Sequence, residues 1–251
     1  MRTCMTVRHG AERRTLMMTG AKLVLMRHGQ SLGNEANLFT GWNDLDLSAN
    51  GHEEARRAGR LMRHHGFLFD AAHSSMLKRT IHTLHHCLDE LDQSWLPEYR
   101  SWRLNERHYG ALQGLNKDDT IARYGREQVQ QWRRSFDVTP PAVKPDSPHH
   151  PGNDPRYASI PRCDLPCAES LAMTMKRVLP YWQDMLLPAL RQGQSLLVIT
   201  HGTVMRALIG HLDGLSPEET QTLEIPTGTP LVYEIDKAGA VHRIGYLLPP
   251  T

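Results

Sequence analysis

The chain has 251 residues, 39% of them hydrophobic and 22% charged, and a formal net charge of +2 at pH 7. It is long enough to bury a sizeable core, and no Ser/Gly or Pro tract is long enough to join independent units. So mild a charge argues against nucleic acid or an anionic membrane as partner, no run reaches the length of a membrane span, and the first twenty residues lack a signal-peptide core, so a cytoplasmic protein is expected.

Residues 1–20 show no clean periodicity and read as a disordered or misassigned leader, with Met17 or Met18 as an equally good start. They carry Arg8-His9-Gly10, a decoy tripeptide without a strand before it. Residues 21–251 are then a single catalytic domain. Its first element is the apolar run Leu23 to Met26, which reads as a strand covered on both faces and ending in Arg27-His28-Gly29. In open α/β sheets ligands gather at the carboxyl ends of such strands.

Gly41 to Leu47 reads as a loop. A helix is expected from Ser48 as N-cap to His64, stopped at Gly66, with Ala55, Ala58, Leu61 and Met62 buried. Phe67 to Ser74 is a short strand and Met76 to Leu91 a second helix. On that helix His82, His85 and His86 have metal-like spacing but no evident carboxylate partner, which favours a solvated or packing role. The polar cluster Glu106-Arg107-His108-Tyr109-Gly110 follows, and Lys117 to Phe136 is largely helical. Pro140 to Pro166 has neither period and marks a surface insertion, bounded at about 136–168 and expected to cover the substrate. Cys4, Cys87, Cys163 and Cys167 lack disulfide spacing and are expected to be reduced, with Cys163, Cys167, His149 and His150 only a loose match to a zinc site. Glu169 to Leu187 returns to helix, interrupted at Pro180. A second apolar strand, Ser195 to Thr200, ends in His201-Gly202 and opens into a helix over Val204 to Leu212. Pro230 to Ile235 and Val241 to Leu247 close the chain as paired strands. The pattern predicts a three-layer α/β/α fold with a mostly parallel sheet and helices on both faces.

Two histidines delivered to one sheet edge beside an arginine make an anion site, and phosphate suits the planar fork of Arg. The glycine after each histidine leaves room for close backbone approach, and the helix after His201 adds N–H groups. A neutral imidazole there attacks phosphorus to give phosphohistidine, while Arg27, Arg79 and His201 hold the equatorial oxygens. Sequence does not say which ring nitrogen attacks. Without a Walker-type loop or clustered Asp, the arginines take a metal's role, and no metal is expected. Glu106 is the candidate acid and base, provided burial or an adjacent phosphate holds its proton.

The stretches LVLMRHGQS, FTGWNDLDLS, SSMLKRTIHT, SWRLNERHYGALQGLNK, QWRRSFDVTPP, PGNDPRY, ESLAMTMKRVLPYW, THGTVMRAL and IPTGTPLVYE, spread from about Lys22 to Tyr246, resemble the 2,3-bisphosphoglycerate-dependent phosphoglycerate mutases. The resemblance implies a phosphorylated His28, with Arg27, Arg79 and His201 in its phosphate pocket and Glu106 as acid and base. It places Asn34, Thr40, Gly41, Arg107, His108, Tyr109, Lys117, Arg133, Arg134, Gly202 and Thr203 where the family binds phosphoglycerates. It further implies interconversion of 3- and 2-phosphoglycerate in glycolysis and gluconeogenesis, a 2,3-bisphosphoglycerate primer, no metal, and a homo-oligomeric dimer or tetramer. Gln30 replaces the glutamate usual in the family, Gly33 a common tryptophan, Leu38 an arginine and Thr203 an asparagine. The sequence stops near its last strand, without the long basic and alanine-rich tail that closes many family sites. Two alternatives stand beside the mutase: a phosphatase of the histidine phosphatase superfamily and a catalytically idle phosphometabolite-binding protein.

Overall fold

A computed structural model describes residues 20–236 and 239–249, so the leader and its decoy tripeptide lie outside the described residues. Six strands form one sheet in the order β3-β2-β4-β1-β5-β6: β1 (Ala21–Arg27), β2 (Ala71–Ser74), β3 (Glu98–Arg100), β4 (Leu196–Thr200), β5 (Leu231–Ile235) and β6 (Val241–Tyr246). β1, β4, β2 and β3 pair in parallel, and β5 runs antiparallel to both its neighbours. The sheet is thus mostly parallel, and the register Arg27↔Thr200 sets the two histidines that follow side by side.

The apolar runs of β1 and β4 are buried on both faces because alternate residues feed different layers. Leu23, Leu25, Leu196 and Val198 pack against Val178, Tyr181, Met205 and Leu208 of α6 (Leu171–Tyr181) and α8 (Gly202–Leu212). Val24, Met26, Leu197 and Ile199 pack on the other side against Ala58, Met62, Leu84 and Leu88 of α2 (Ala49–His64) and α3 (Lys78–Leu91). Ser48 caps α2 as the sequence predicts, its side chain accepting from the Gly51 N–H.

Several boundaries differ from the pattern-based reading. A short α1 (Leu32–Glu35) follows the nucleophile loop, capped by Ser31. The helix expected over Lys117 to Phe136 is two, α4 (Lys117–Tyr124) and α5 (Arg126–Arg134), broken at Gly125 with φ of 83°. Only glycine takes that conformation readily, so the chain turns there. Pro180 lies inside α6. The interruption comes after it, where Trp182–Leu186 widens into a π-turn before α7 (Leu187–Arg191), the usual way a helix absorbs a lost N–H. α9 (Pro217–Thr222), capped by Ser216, carries no hydrophobic period and escapes a reading based on one.

The insertion at 136–168 is packed on the body of the domain. Its short 3-10 turns deliver Tyr157 and Leu165 into a cluster with Trp42, and Asn105 Nδ2 donates to the Tyr157 hydroxyl at 2.8 Å. The histidines on α3 do find partners, contrary to expectation. His82 Nδ1 lies 2.6 Å from Asp46 Oδ1, His85 Nε2 is 3.2 Å from Glu98, and His86 Nε2 is 2.7 Å from His52 Nδ1. Among the described residues no group of His, Cys, Asp or Glu is arranged to hold a metal, and Cys87, Cys163 and Cys167 are free thiols. No described helix is long and apolar enough to cross a membrane.

Candidate phosphoryl-transfer site

His28 leaves the end of β1 with its N–H on the Thr200 carbonyl, at 2.9 Å. The next residue is pinned from two sides. The Gly29 N–H donates to Thr83 Oγ1 on α3, and the first turn of α2 lies so close that a Cβ on Gly29 would stand 2.3 Å from the Gly51 carbonyl oxygen. Glycine is therefore needed at 29 for helix packing against the nucleophile loop, and not for approach of a ligand. At Gly202 a Cβ would meet Arg27 only at 3.6 Å, an ordinary contact.

The loop also orients the nucleophile. His28 Nδ1 is 2.7 Å from the Gly29 carbonyl oxygen, which can only accept, so Nδ1 carries the hydrogen and Nε2 keeps the lone pair. Burial, followed by the positive charges of Arg79 and Arg27, holds the His28 pKa well below the ordinary value. It is neutral at pH 7, as a nucleophile at phosphorus must be. His201 faces it edge on, ring centroids 5.0 Å apart, and burial with Arg79, His28 and Arg27 likewise keeps it neutral in the free protein.

Three arginines surround this pair by different means. Arg27 Nη1 donates to the Ile225 carbonyl at 2.8 Å, leaving its buried Nε without a protein partner. Arg79 is fully buried on α3 and gives Nη1 and Nη2 to the Asn43 and Gly41 carbonyls; burial lowers its pKa to about 10, which leaves it charged at pH 7. Arg177, which sequence reasoning missed, forms a buried two-pronged ion pair with Glu169 and donates to the carbonyls of Trp102, Arg103, Asn105 and Glu106. It fixes the backbone that presents Glu106. The Glu106 carboxylate then accepts from the Arg107 N–H at 2.7 Å and from the Thr203 N–H, in the first turn of α8, at 3.3 Å.

Beside Arg27 and Glu106 opens a cavity of about 180 Å3, and the buried His28 and His201 are not among the residues that line it. Of the residues expected to bind substrate, Arg27, Asn34, Glu106, Tyr109, Lys117, Arg133, Arg134, Gly202 and Thr203 line it. Thr40, Gly41, Arg79, Arg107 and His108 do not. Gly41 supplies the carbonyl that orients Arg79, and the buried Thr40 hydroxyl lacks a protein partner. Arg107 lies over the Tyr109 ring and donates to the Arg133 carbonyl, behind the cavity wall. His108 is buried against Trp42, its Nδ1 accepting from the Gly110 N–H, and burial lowers its pKa to about 3. No residue of the 136–168 insertion is among those that line the cavity.

Leu38 also faces the cavity, together with Arg206 and Glu224, which no motif flagged. Arg206 Nε donates to the Leu223 carbonyl at 2.8 Å, and Glu224 pairs with Arg134 at 3.0 Å. Gln30 does structural work, accepting from the Ser48 hydroxyl at 2.7 Å, while a Cβ on Gly33 would meet Thr40 Oγ1 at 2.4 Å. The unpartnered buried donors Arg27 Nε and Arg134 Nη1 are what an anion would complete.

The fold is shared with solved structures of several activities. An alpha-ribazole phosphatase from Shigella flexneri is 22% identical, with 90% of this chain and 96% of that one covered at a TM-score of 0.66. A mycobacterial glucosyl-3-phosphoglycerate phosphatase is 18% identical, with 92% and 100% covered at 0.68. A phosphoglycerate mutase from Bacillus anthracis is 21% identical, with 91% and 94% covered at 0.65. Identities this low carry the fold alone. The family model of the histidine phosphatase superfamily (branch 1) matches residues 23–150 and 143–244, nearly all of the described chain, and the protein belongs to that superfamily.

Proposed function

We propose that the protein is a phosphoglycerate mutase, primed by 2,3-bisphosphoglycerate and working without a metal. The observation that carries this reading is the set of cations around the cavity that Glu106 lines: Lys117, Arg133, Arg134 and Arg206 share a space of about 180 Å3 with Arg27, the residue before His28. One phosphate would occupy the Arg27 end, and the other cations would hold the carboxylate and second phosphate of a bisphosphoglycerate. Cavities for drug-sized ligands run to roughly 300–1,000 Å3, so this one suits a small metabolite.

In the first half-reaction His28 Nε2 bonds to phosphorus as the ester P–O bond breaks, and the leaving oxygen takes a proton from Glu106. In the second, the C2 hydroxyl of 3-phosphoglycerate attacks phosphorus, gives its proton to Glu106, and the N–P bond breaks to restore neutral His28; the bisphosphate so formed reorients and returns its C3 phosphoryl group to His28, leaving 2-phosphoglycerate. Arg27, Arg79 and His201 hold the charge that spreads over the equatorial oxygens. Incubation with 3-phosphoglycerate, primer and EDTA should yield 2-phosphoglycerate, and labelled bisphosphate should leave an acid-labile phosphoprotein. His28→Ala should lose both; activity in that variant would sink the nucleophile assignment.

A second reading, a phosphatase of the same superfamily, is favoured by two wall residues. Leu38 adds no charge, and Glu224 neutralises Arg134. Both weaken the hold on a second anionic group. Inorganic phosphate released faster than 2-phosphoglycerate would decide for it.

A further inference from the structure

Glu106 is held mainly through its backbone. The Leu104 carbonyl accepts from Thr200 Oγ1 at 2.8 Å, the Asn105 carbonyl from Arg177 Nη2 at 3.1 Å, and the Glu106 carbonyl from Trp42 Nε1 at 2.6 Å and Arg177 Nη2 at 3.3 Å. Three successive carbonyls are thus fixed by side chains from three different parts of the fold. The carboxylate takes both of its N–H bonds, from Arg107 and Thr203, on Oε1. Oε2 is the oxygen left to carry a transferred proton.

Two side chains of this frame, Asn105 and Trp42, converge on Tyr157, which ends the 3-10 turn Pro155–Tyr157 of the 136–168 insertion. The buried Tyr157 hydroxyl accepts from Asn105 Nδ2 at 2.8 Å, and its ring lies against the Trp42 indole, centroids 4.9 Å apart. The other end of the Asn105 amide settles its orientation. Oδ1 accepts from the Met76 N–H at 3.0 Å, and a backbone N–H only donates, so Nδ2 must face the phenol. Without the phenol oxygen the wholly buried Asn105 would keep an unmet donor, one residue before the group that must place a proton. The turn that delivers Tyr157 is itself braced. Arg156 pairs with Asp154 at 2.6 Å and with Asp44 at 2.7 Å, and Asp44 in turn accepts from the Lys78 N–H at the start of α3.

We infer that Tyr157 is a positioning residue for Glu106, acting through the Asn105 amide and the Trp42 indole to aim Oε2 at the oxygen that leaves or attacks phosphorus. The inference rests on Glu106 as the acid and base of the reaction proposed above. It gives the insertion a part in the chemistry through residues behind the acid, with no contact to substrate. A positioning role and a merely structural one differ in how they treat the leaving group. In transfer from a phosphoglycerate the N–P bond forms, the ester P–O bond breaks, and the departing alkoxide takes the Oε2 proton. In transfer from acetyl phosphate the same bonds form and break, but acetate leaves as a stable anion at pH 7 and takes no proton.

The test is the single-turnover rate of phosphohistidine formation in the full chain, from labelled 2,3-bisphosphoglycerate and from labelled acetyl phosphate. Tyr157→Phe removes the oxygen and keeps the ring. It should slow transfer from bisphosphoglycerate about fivefold, as expected for losing one neutral hydrogen bond, with Kd for bisphosphoglycerate unchanged and transfer from acetyl phosphate altered by less than about twofold. Trp42→Phe, which removes the Nε1 donor, should show the same selectivity, and it carries the comparison if Tyr157→Phe does not fold. Glu106→Gln should show a larger one. Equal slowing with both donors, or slowing with neither, overturns the positioning role and leaves the His28 and Glu106 readings standing. A Glu106→Gln variant without selectivity overturns Glu106 as the acid and the inference with it. Absence of phosphoprotein in the unsubstituted protein overturns the His28 reading as well.

Discussion

His201 Nε2 lies 2.9 Å from the hydroxyl of Ser75, and the surrounding bonds fix which atom donates. Thr80 gives its hydroxyl hydrogen to the Leu77 carbonyl at 2.8 Å, so it must accept the 2.6 Å bond from Ser75. Ser75 then has no hydrogen left for the imidazole, and His201 Nε2 is the donor. Its other nitrogen, Nδ1, is buried without a protein partner. In the neutral ring that atom presents a lone pair, which repels an anion. A phosphate is held there only after Nδ1 takes a proton, which the phosphate charge favours and the three neighbouring cations Arg79, Arg27 and Arg177 oppose.

Ser75 is therefore a positioning residue, acting through His201. Ser75→Ala should lower kcat about tenfold to a hundredfold, the equivalent of one buried hydrogen bond of about 1–3 kcal/mol, while Ser75→Thr, which keeps the hydroxyl, should restore most of it. Both should retain the wild-type circular dichroism. An unchanged kcat in Ser75→Ala would show that the tautomer is held by something else.

Lys117 gives the site a limit on the alkaline side. Burial first, then Arg133 and Arg27, lowers its pKa to about 8, and its Nζ has only Asn37 Oδ1 at 3.4 Å. Below that pH the ammonium is charged and holds the anion; above it the charge is lost. KM for a phosphoglycerate should thus be flat below pH 7 and rise about fourfold by pH 8.5 if only the charged form binds. In Lys117→Arg, which stays charged throughout, the rise should disappear. A parallel rise in that variant would assign the limb to another group.

Much of this site was legible in one dimension. The runs Leu23 to Met26 and Leu196 to Ile199 announce strands buried on both faces, and the residues that follow them do meet. The parts that were not legible depend on partners distant in sequence. Arg177 reads as an ordinary helical charge, because its duty is to carbonyls 71 to 75 positions away. His108 sits in the same polar cluster as Glu106, but the turn at Gly110, with φ of 58°, folds its ring back under the chain. Tyr157 anchors a stretch too rich in Pro and Gly to show any period. Ser75 looks like any strand-end serine until Thr80, one helical turn on, is seen to take its hydrogen.

The Arg177–Glu169 pair makes a stability prediction and a catalytic one. Both side chains are almost wholly buried, 6% and 3% exposed, so removing one partner leaves a charge without compensation. Arg177→Met should cost about 3–5 kcal/mol in urea unfolding. Because the same guanidinium fixes the Asn105 and Glu106 carbonyls, the milder Arg177→Lys, which keeps the charge but loses the fork, should reduce kcat more than it raises KM. A loss of stability with kcat intact would confine the pair to a structural role.

His73 sets how the fold answers acid. Its ring is buried between strand and helix, 2.9 Å from the Tyr181 hydroxyl through Nδ1 and stacked on Tyr99, and burial lowers its pKa from 6.5 to about 4. Above pH 6.5 the ring is neutral in folded and unfolded chains alike, and it adds nothing to the pH dependence. Between 6.5 and about 4 the unfolded chain binds a proton that the native state refuses, so stability falls as pH falls, approaching about 1.4 kcal/mol per unit. His28, His201 and His108 are shifted the same way and steepen the slope. Between pH 7 and 5.5 His73 alone should account for a loss of about 1 kcal/mol. In His73→Phe the absolute stability changes for reasons of packing, but the difference between the two pH values should shrink by that amount in urea titrations. An undiminished difference would mean that His73 takes up its proton in the native fold.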